Sequence, residues 1–144
     1  MPTFFFFVTF ASLICSSYGI FSLQNTTVQG TVTCNGVPSS NQTVDLMEAD
    51  TFSPDNLLNS TTTNALGGFA IFGEERTFLG LCPYLRIKHN CPMLISGKKI
   101  TCERESHYPI PKIARGHVFN IGTLNLNEFT KSISLFGQTT CSSS

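Results

Sequence analysis

Two imidazoles and two thiols stand close together in this chain: His89-x-Cys91, then Cys102 and His107. Nitrogen and sulfur donors of that kind can hold zinc in a tetrahedral site. The same cysteines would instead oxidise to disulfides in an extracellular compartment. His89 also falls on the inward parity of an alternating segment, where a core histidine belongs. We therefore expect disulfides and no metal. The remaining histidine is His117, and no hydroxyl or thiol is spaced to nominate a nucleophile with its base. No catalytic residue and no cofactor are expected.

A different chemistry is offered by cations. From Leu81 onward eight basic residues face three acidic ones, Glu103, Glu105 and Glu128. From Ile20 to Gly80 the balance reverses, with Asp45, Glu48, Asp50, Asp55, Glu74 and Glu75 against Arg76. Two solvated faces of opposite sign would account for this. The functional alternative is a basic face built from Arg86, Lys88, Lys98, Lys99 and Arg104, with Lys112 and Arg115 beyond. Such a face would attract acidic phospholipid or an acidic protein partner.

The chain as a whole is neutral: 144 residues carry nine basic and nine acidic side chains. That balance removes the generic electrostatic case for nucleic acid. Phe4 to Ile14 is almost continuously apolar but falls short of the roughly 20 residues that span a bilayer. Ser17 and Gly19 stand where signal peptidase requires small residues, so residues 1–19 read as a signal peptide cut ahead of Ile20. Residues 20–144 then form one secreted domain, long enough to bury roughly two-thirds of its unfolded surface. Asn25-Thr26-Thr27, Asn41-Gln42-Thr43 and Asn59-Ser60-Thr61 are glycosylation acceptors, and glycans would supply solubility that the sparse charge does not.

Once Cys15 leaves with the leader, Cys34, Cys82, Cys91, Cys102 and Cys141 remain. Counting does not fix their connectivity. Strand ends and a short intervening loop favour Cys91–Cys102, with Cys34–Cys141 as the second pair and Cys82 left over.

The elements that must position these groups are short strands. Thr27 to Cys34 alternates, with Val28, Val32 and Cys34 on one side, and Asn35-Gly36 follows as a turn. Thr43 to Ala49 puts Val44 and Leu46 together. Residues 50–60 read as irregular, with a turn or single helical turn at Ser53-Pro54-Asp55-Asn56, and Thr61 to Asn64 as a short edge strand. Phe69 to Phe72 follows Gly67-Gly68. Pro83 opens the strongest strand, with Leu85, Ile87 and His89 inward and Tyr84, Arg86 and Lys88 outward. A strand near Cys102 to Tyr108 must stop at the prolines flanking Ile110. Phe119 and Ile121 are out of phase with Leu124 and Leu126 unless a β-bulge at Gly122 intervenes. Ile133 and Leu135 suggest a further edge strand. Seven or eight short strands, with at most one short helical turn, make an all-β two-sheet sandwich.

The order of these blocks resembles the transthyretin-like family of secreted nematode proteins. The residues that carry the likeness are Gly30-Thr31-Val32-Thr33-Cys34-Asn35-Gly36, Pro54-Asp55-Asn56-Leu57-Leu58 and Gly67-Gly68-Phe69. Pro83-Tyr84-Leu85-Arg86-Ile87-Lys88-His89-Asn90-Cys91 and Phe119-Asn120-Ile121-Gly122-Thr123-Leu124-Asn125-Leu126 complete it. The resemblance implies a transthyretin-type sandwich and a secreted or cell-surface binding role. It also raises a rival, because a purine-pathway hydrolase acting on 5-hydroxyisourate shares that superfamily. Its site needs a Tyr-Arg-Gly-Ser terminus, and this chain ends Thr140-Cys141-Ser142-Ser143-Ser144. A second rival is a matrix component that self-associates through an edge strand or the odd cysteine.

Overall fold

The computed structural model describes residues 22–50, 53–77, 82–111, 114–127 and 140–143. The expected signal peptide of residues 1–19 and the expected edge strand at Ile133 and Leu135 lie outside them. Ten strands follow in order: β1 (Ser22–Cys34), β2 (Val37–Pro38), β3 (Thr43–Glu48), β4 (Asn56–Thr62), β5 (Gly68–Thr77), β6 (Pro83–His89), β7 (Met93–Ile95), β8 (Lys98–Pro109), β9 (Val118–Asn125) and β10 (Thr140–Ser143). Among the described residues there is no α-helix. The count exceeds the expected seven or eight because hairpins add the two-residue β2 and the three-residue β7.

The strands form two sheets. In the four-stranded sheet β1 is the common member, antiparallel to β5 and β2 and parallel to β9. In the six-stranded sheet the order is β10-β8-β6-β3-β4, with β7 also paired to β8. The β1–β2 connection works because Asn35 and Gly36 both take positive φ, 51° and 78°, as a two-residue type I′ hairpin requires.

The inner faces carry the alternation read from sequence. Val28 and Val32 of β1, Val44 and Leu46 of β3, and Leu85 and Ile87 of β6 are fully buried. Phe69 and Ile71 of β5, with Leu124 and Leu126 at the end of β9, complete the core between the sheets. Each such side chain contributes about 1.5–3 kcal/mol when removed from water. The phase break in β9 is resolved as expected. The β1–β9 register shifts between Gln29 and Gly30, leaving Ile121 as the extra residue, and Gly122 takes φ 82°. Without that insertion Phe119 and Leu124 would face opposite ways.

Two boundaries differ from the sequence reading. β4 begins at Asn56, so Asn56–Ser60 is an edge strand and not irregular chain. Its polar composition hid it, although its ladder with β3 supplies the backbone partners. Ahead of it, Ser53 donates to Asp50 at 2.6 Å and Asp50 N–H donates to Asp55 at 3.3 Å. β8 begins at Lys98, so Lys98 and Lys99 lie in a strand and not a loop. Ser96-Gly97, both at positive φ, turns tightly enough to bring β7 back against it.

The cysteine pairing also requires correction. Cys34 is joined to Cys91, 57 residues away, and not to Cys141. Cys34 ends β1 in one sheet and Cys91 follows β6 in the other, so the bond crosses the sandwich. The expected Cys91–Cys102 bond does not form, because Cys91 has already left the β6–β8 ladder, whose last pair is His89 with Arg104. Cys102 is itself disulfide-bonded, and its backbone stands directly opposite Cys141 in the β8–β10 ladder. Cys82 is a free thiol.

Candidate functional site

The cations of β6 and β8 point in two directions. Arg86 and Lys88 share the outer face of the six-stranded sheet, as the alternation required. Arg86 does not stand free there: it donates to Asp45 of β3 at 2.8 Å, and Asp45 accepts in turn from Ser60 of β4 at 2.7 Å. Lys88 lies opposite Glu105 in the β6–β8 ladder. Glu105 also contacts His107 at 2.6 Å. Tyr84 lies against the His107 ring with centroids 4.8 Å apart and donates its hydroxyl to Asp55. Burial, reinforced by that bond to Asp55, raises the Tyr84 hydroxyl pKa above its ordinary value. This face is a lattice of alternating charge, because antiparallel pairing sets acidic residues of β3 and β8 beside the basic ones of β6.

Arg104 occupies the inner parity of β8 and is buried, at 4% exposure. It is not part of a solvent-facing basic surface. Its guanidinium donates to the carbonyl of Cys91 at 2.7 Å and of Leu126 at 3.1 Å, with Met93 sulfur beside it. Cys91 belongs to the six-stranded side and Leu126 to the end of β9, so Arg104 ties the sheets where the disulfide also crosses. Asn35 adds bonds to Pro92 O at 3.2 Å and from its N–H to Asn127 at 3.1 Å. Burial lowers the Arg104 pKa from its ordinary value.

Of the five proposed cations, Lys88, Lys98 and Lys99 are exposed and make no ion pair among the described residues, and of these Lys98 and Lys99 stand together. They open β8 at the β7–β8 hairpin, where Leu94 is 79% exposed opposite Lys99. Sequence reasoning passed over Leu94. The signal was there in principle, because an apolar residue beside the tight Ser96-Gly97 turn has no core to reach.

The metal-ligand set does not converge. Cys91 and Cys102 are both in disulfides. His89 faces inward and His107 outward. Cys91 N–H donates to His89 Nδ1 at 3.2 Å, so the ring proton sits on Nε2 and meets Ser106 Oγ at 2.9 Å. Burial, with help from the Arg104 charge, lowers the His89 pKa to about 4, and the ring is neutral at ordinary pH. His117 is exposed in the turn before β9.

The acceptor asparagines sit in unlike places. Asn41 is exposed in a tight connection with φ 56°. Asn59 is exposed on edge strand β4, its amide donating to Phe72 O at 2.7 Å across to the other sheet. Asn25 is half-buried in β1, opposite Glu74 of β5.

Among the described residues no helix is long and apolar enough to cross a membrane. Comparison with known proteins gives one consistent answer. The model of the Transthyretin-like family matches residues 29–111. Transthyretin-like protein 16 of Caenorhabditis elegans is 36% identical over 116 residues, 81% of each chain. Transthyretin-like protein 1 of the same organism is 31% identical over 134 residues, 84% of this chain and 83% of that one. Transthyretin-like protein 33 is 34% identical over 110 residues, covering 72% and 74%. Among solved structures, a 9R-lipoxygenase from Cyanothece overlaps 71% of this chain with 16% of its own, at 17% identity and a TM-score of 0.48, too loose to carry weight. With a two-sheet β-sandwich, the expected order of blocks and these relatives in agreement, the chain belongs to the transthyretin-like family.

Proposed function

We propose that this is a secreted, glycosylated, non-catalytic binding protein that meets an anionic surface, acidic phospholipid or an acidic protein, through its β7–β8 hairpin. The observation that carries the reading is the exposed Leu94 opposite Lys99, with Lys98 next to it, in the hairpin that turns at Ser96-Gly97. Export is inferred from residues 1–19, and sequencing of the secreted N-terminus should begin at Ile20. The absence of catalysis is inferred from His89 and His107, which face opposite sides of the six-stranded sheet. The cationic site is narrower than the five-cation face read from sequence, since Arg86 is paired, Arg104 is buried and Lys88 belongs to β6, outside the hairpin. Two lysines contribute about 1 kcal/mol each near an acidic bilayer, and the field falls off within roughly 8–10 Å. Insertion of Leu94 adds about 1.5–3 kcal/mol. The attraction is therefore weak and salt-sensitive.

Co-sedimentation with phosphatidylserine vesicles at low and high salt is the test. Binding should fall with salt and be lost in Lys98→Glu with Lys99→Glu, and Leu94→Ser should weaken it independently. Equal binding to neutral vesicles, or an unaffected charge-reversal variant, would overturn the reading.

A further inference from the structure

The outer face of the four-stranded sheet carries an open groove of about 550 Å³, far from the β7–β8 hairpin in sequence and on another sheet. Its lining includes Gln29 and Thr31 of β1, Gly68 and Ala70 of β5, Asn120 of β9, and Asn64 from the turn before β5. None of the residues that line it is charged. Gln29, Ala70 and Asn120 form one cross-strand row, so the floor spans β5, β1 and β9, about 10 Å at two inter-strand spacings.

Two of the amides at this groove are fixed in orientation. Asn64 Oδ1 accepts from the N–H groups of Leu66 and Gly68, both at 2.9 Å. Asn120 Oδ1 accepts from Gly122 N–H at 2.9 Å, at the bulge. A backbone N–H can only donate, so each side-chain oxygen is assigned without ambiguity and each NH2 is left over. Those NH2 groups, and the Gln29 amide, make no hydrogen bond among the described residues. The donors are thus pre-oriented, and little side-chain entropy is lost when an acceptor arrives. The next row along the sheet holds Thr27 between Phe72 and Val118, which are 47% and 62% exposed.

Each feature narrows the ligand. Without charge in its lining, the groove compensates neither a phosphate nor a cation. Its amides and hydroxyls would be left unpaired by a purely apolar ligand. A shallow, open shape suits a chain laid across strands better than an engulfed small molecule. Fixed NH2 donors call for strong carbonyl acceptors, while Ala70 and Phe72 offer surface for methyl and ring C–H groups. We propose that this groove binds a neutral saccharide bearing N-acetyl groups. The acetamido carbonyls accept from Asn64 and Asn120, Gln29 bonds a hydroxyl or carbonyl between them, and a sugar face lies toward Phe72. This is independent of the hairpin reading.

The secreted protein, nitrogen-labelled, is titrated with triacetylchitotriose and with cellotriose, following the side-chain amide signals of Gln29, Asn64 and Asn120. Those signals should shift and saturate with triacetylchitotriose and respond at least about tenfold more weakly to cellotriose, which lacks the carbonyls. Asn64→Asp and Asn120→Asp keep the oxygen that fixes each turn and remove the donor, adding one negative charge that a neutral sugar does not oppose. Each should retain the folded backbone spectrum and weaken binding by about tenfold. Equal response to both sugars, shifts confined to other residues, or unaltered affinity in both aspartate variants would overturn the proposal. So would sedimentation showing that a second copy of the chain already covers the face.

Discussion

The two sheets are held together by different means. On the six-stranded sheet, side chains do much of the cross-linking: Ser60 to Asp45, Asp45 to Arg86, Glu105 to His107, and His89 to Ser106 across the inner face. On the four-stranded sheet, the backbone comes close because side chains are small. A Cβ on Gly30 would stand 2.7 Å from Ile121 and 2.8 Å from the Gly122 carbonyl. One sheet thus satisfies its polar groups internally, and the other leaves amides turned outward. On the outer face of β6 the ladder has paired Arg86 with Asp45. Around the uncharged groove, unspent hydrogen-bonding capacity remains.

The largest expected effect tests whether the sheets need more than the apolar core between them. Replacing Cys34 and Cys91 together with alanine should destabilise the protein by about 4 kcal/mol, the value for closing a loop of this length. Denaturant unfolding measures it, and a loss near zero would mean that the core and Arg104 suffice at that end.

The six-stranded sheet should then show a pH dependence that the other lacks. The His89 pKa is lowered in the fold to about 4, so the unfolded chain binds a proton that the native one refuses between about 6.5 and 4. Stability from this group is complete above about pH 6.5 and is lost as pH falls toward 4, by about 3 kcal/mol. Urea midpoints for wild type and His89→Gln should converge in slope above neutrality and diverge below pH 6, with the variant flatter. Parallel curves would show that burial and the Arg104 charge do not hold the ring neutral.

Gly30→Ala probes the opposite sheet. Its methyl must displace Ile121 or the bulge carbonyl, and a cost of about 1–3 kcal/mol is expected from overpacking. A neutral result would show that the bulge shifts freely. The smallest effect belongs to the charged lattice: a double-mutant cycle on Asp45 and Arg86 should give a coupling of about 0.5–1 kcal/mol, since both side chains are partly solvated. A coupling several times larger would make the outer lattice a principal source of stability.

What sequence revealed follows from what period-two patterning can see. Leu85, Ile87 and His89 were inward because alternation fixes parity, and Gly122 betrayed the bulge because the pattern lost phase there. The cross-sheet bond between Cys34 and Cys91 was hidden, since no pattern within a strand reports which strand lies across the core. Arg104 occupies an inward parity that composition would deny to a guanidinium. It is tolerated there because two carbonyls, at strand ends far apart in sequence, converge on it. Asn64 and Asn120 escaped notice for a similar reason: one reads as the end of a short edge strand and the other as a position between Phe119 and Ile121, and only the folded register sets them around one groove.

The parallel ladder between β1 and β9 has a consequence for how the chain is made. β1 emerges early from the ribosome, yet its partners come last: Gly68–Thr77 on one side and Val118–Asn125 on the other. At roughly 5–20 residues per second, the first strand waits about 5–20 s for its final neighbour. For roughly the first 2.5–10 s after its own synthesis, until Glu74 of β5 is made, Asn25 has no strand partner. Whatever modifies that position reaches it during synthesis, before the sheet closes over it.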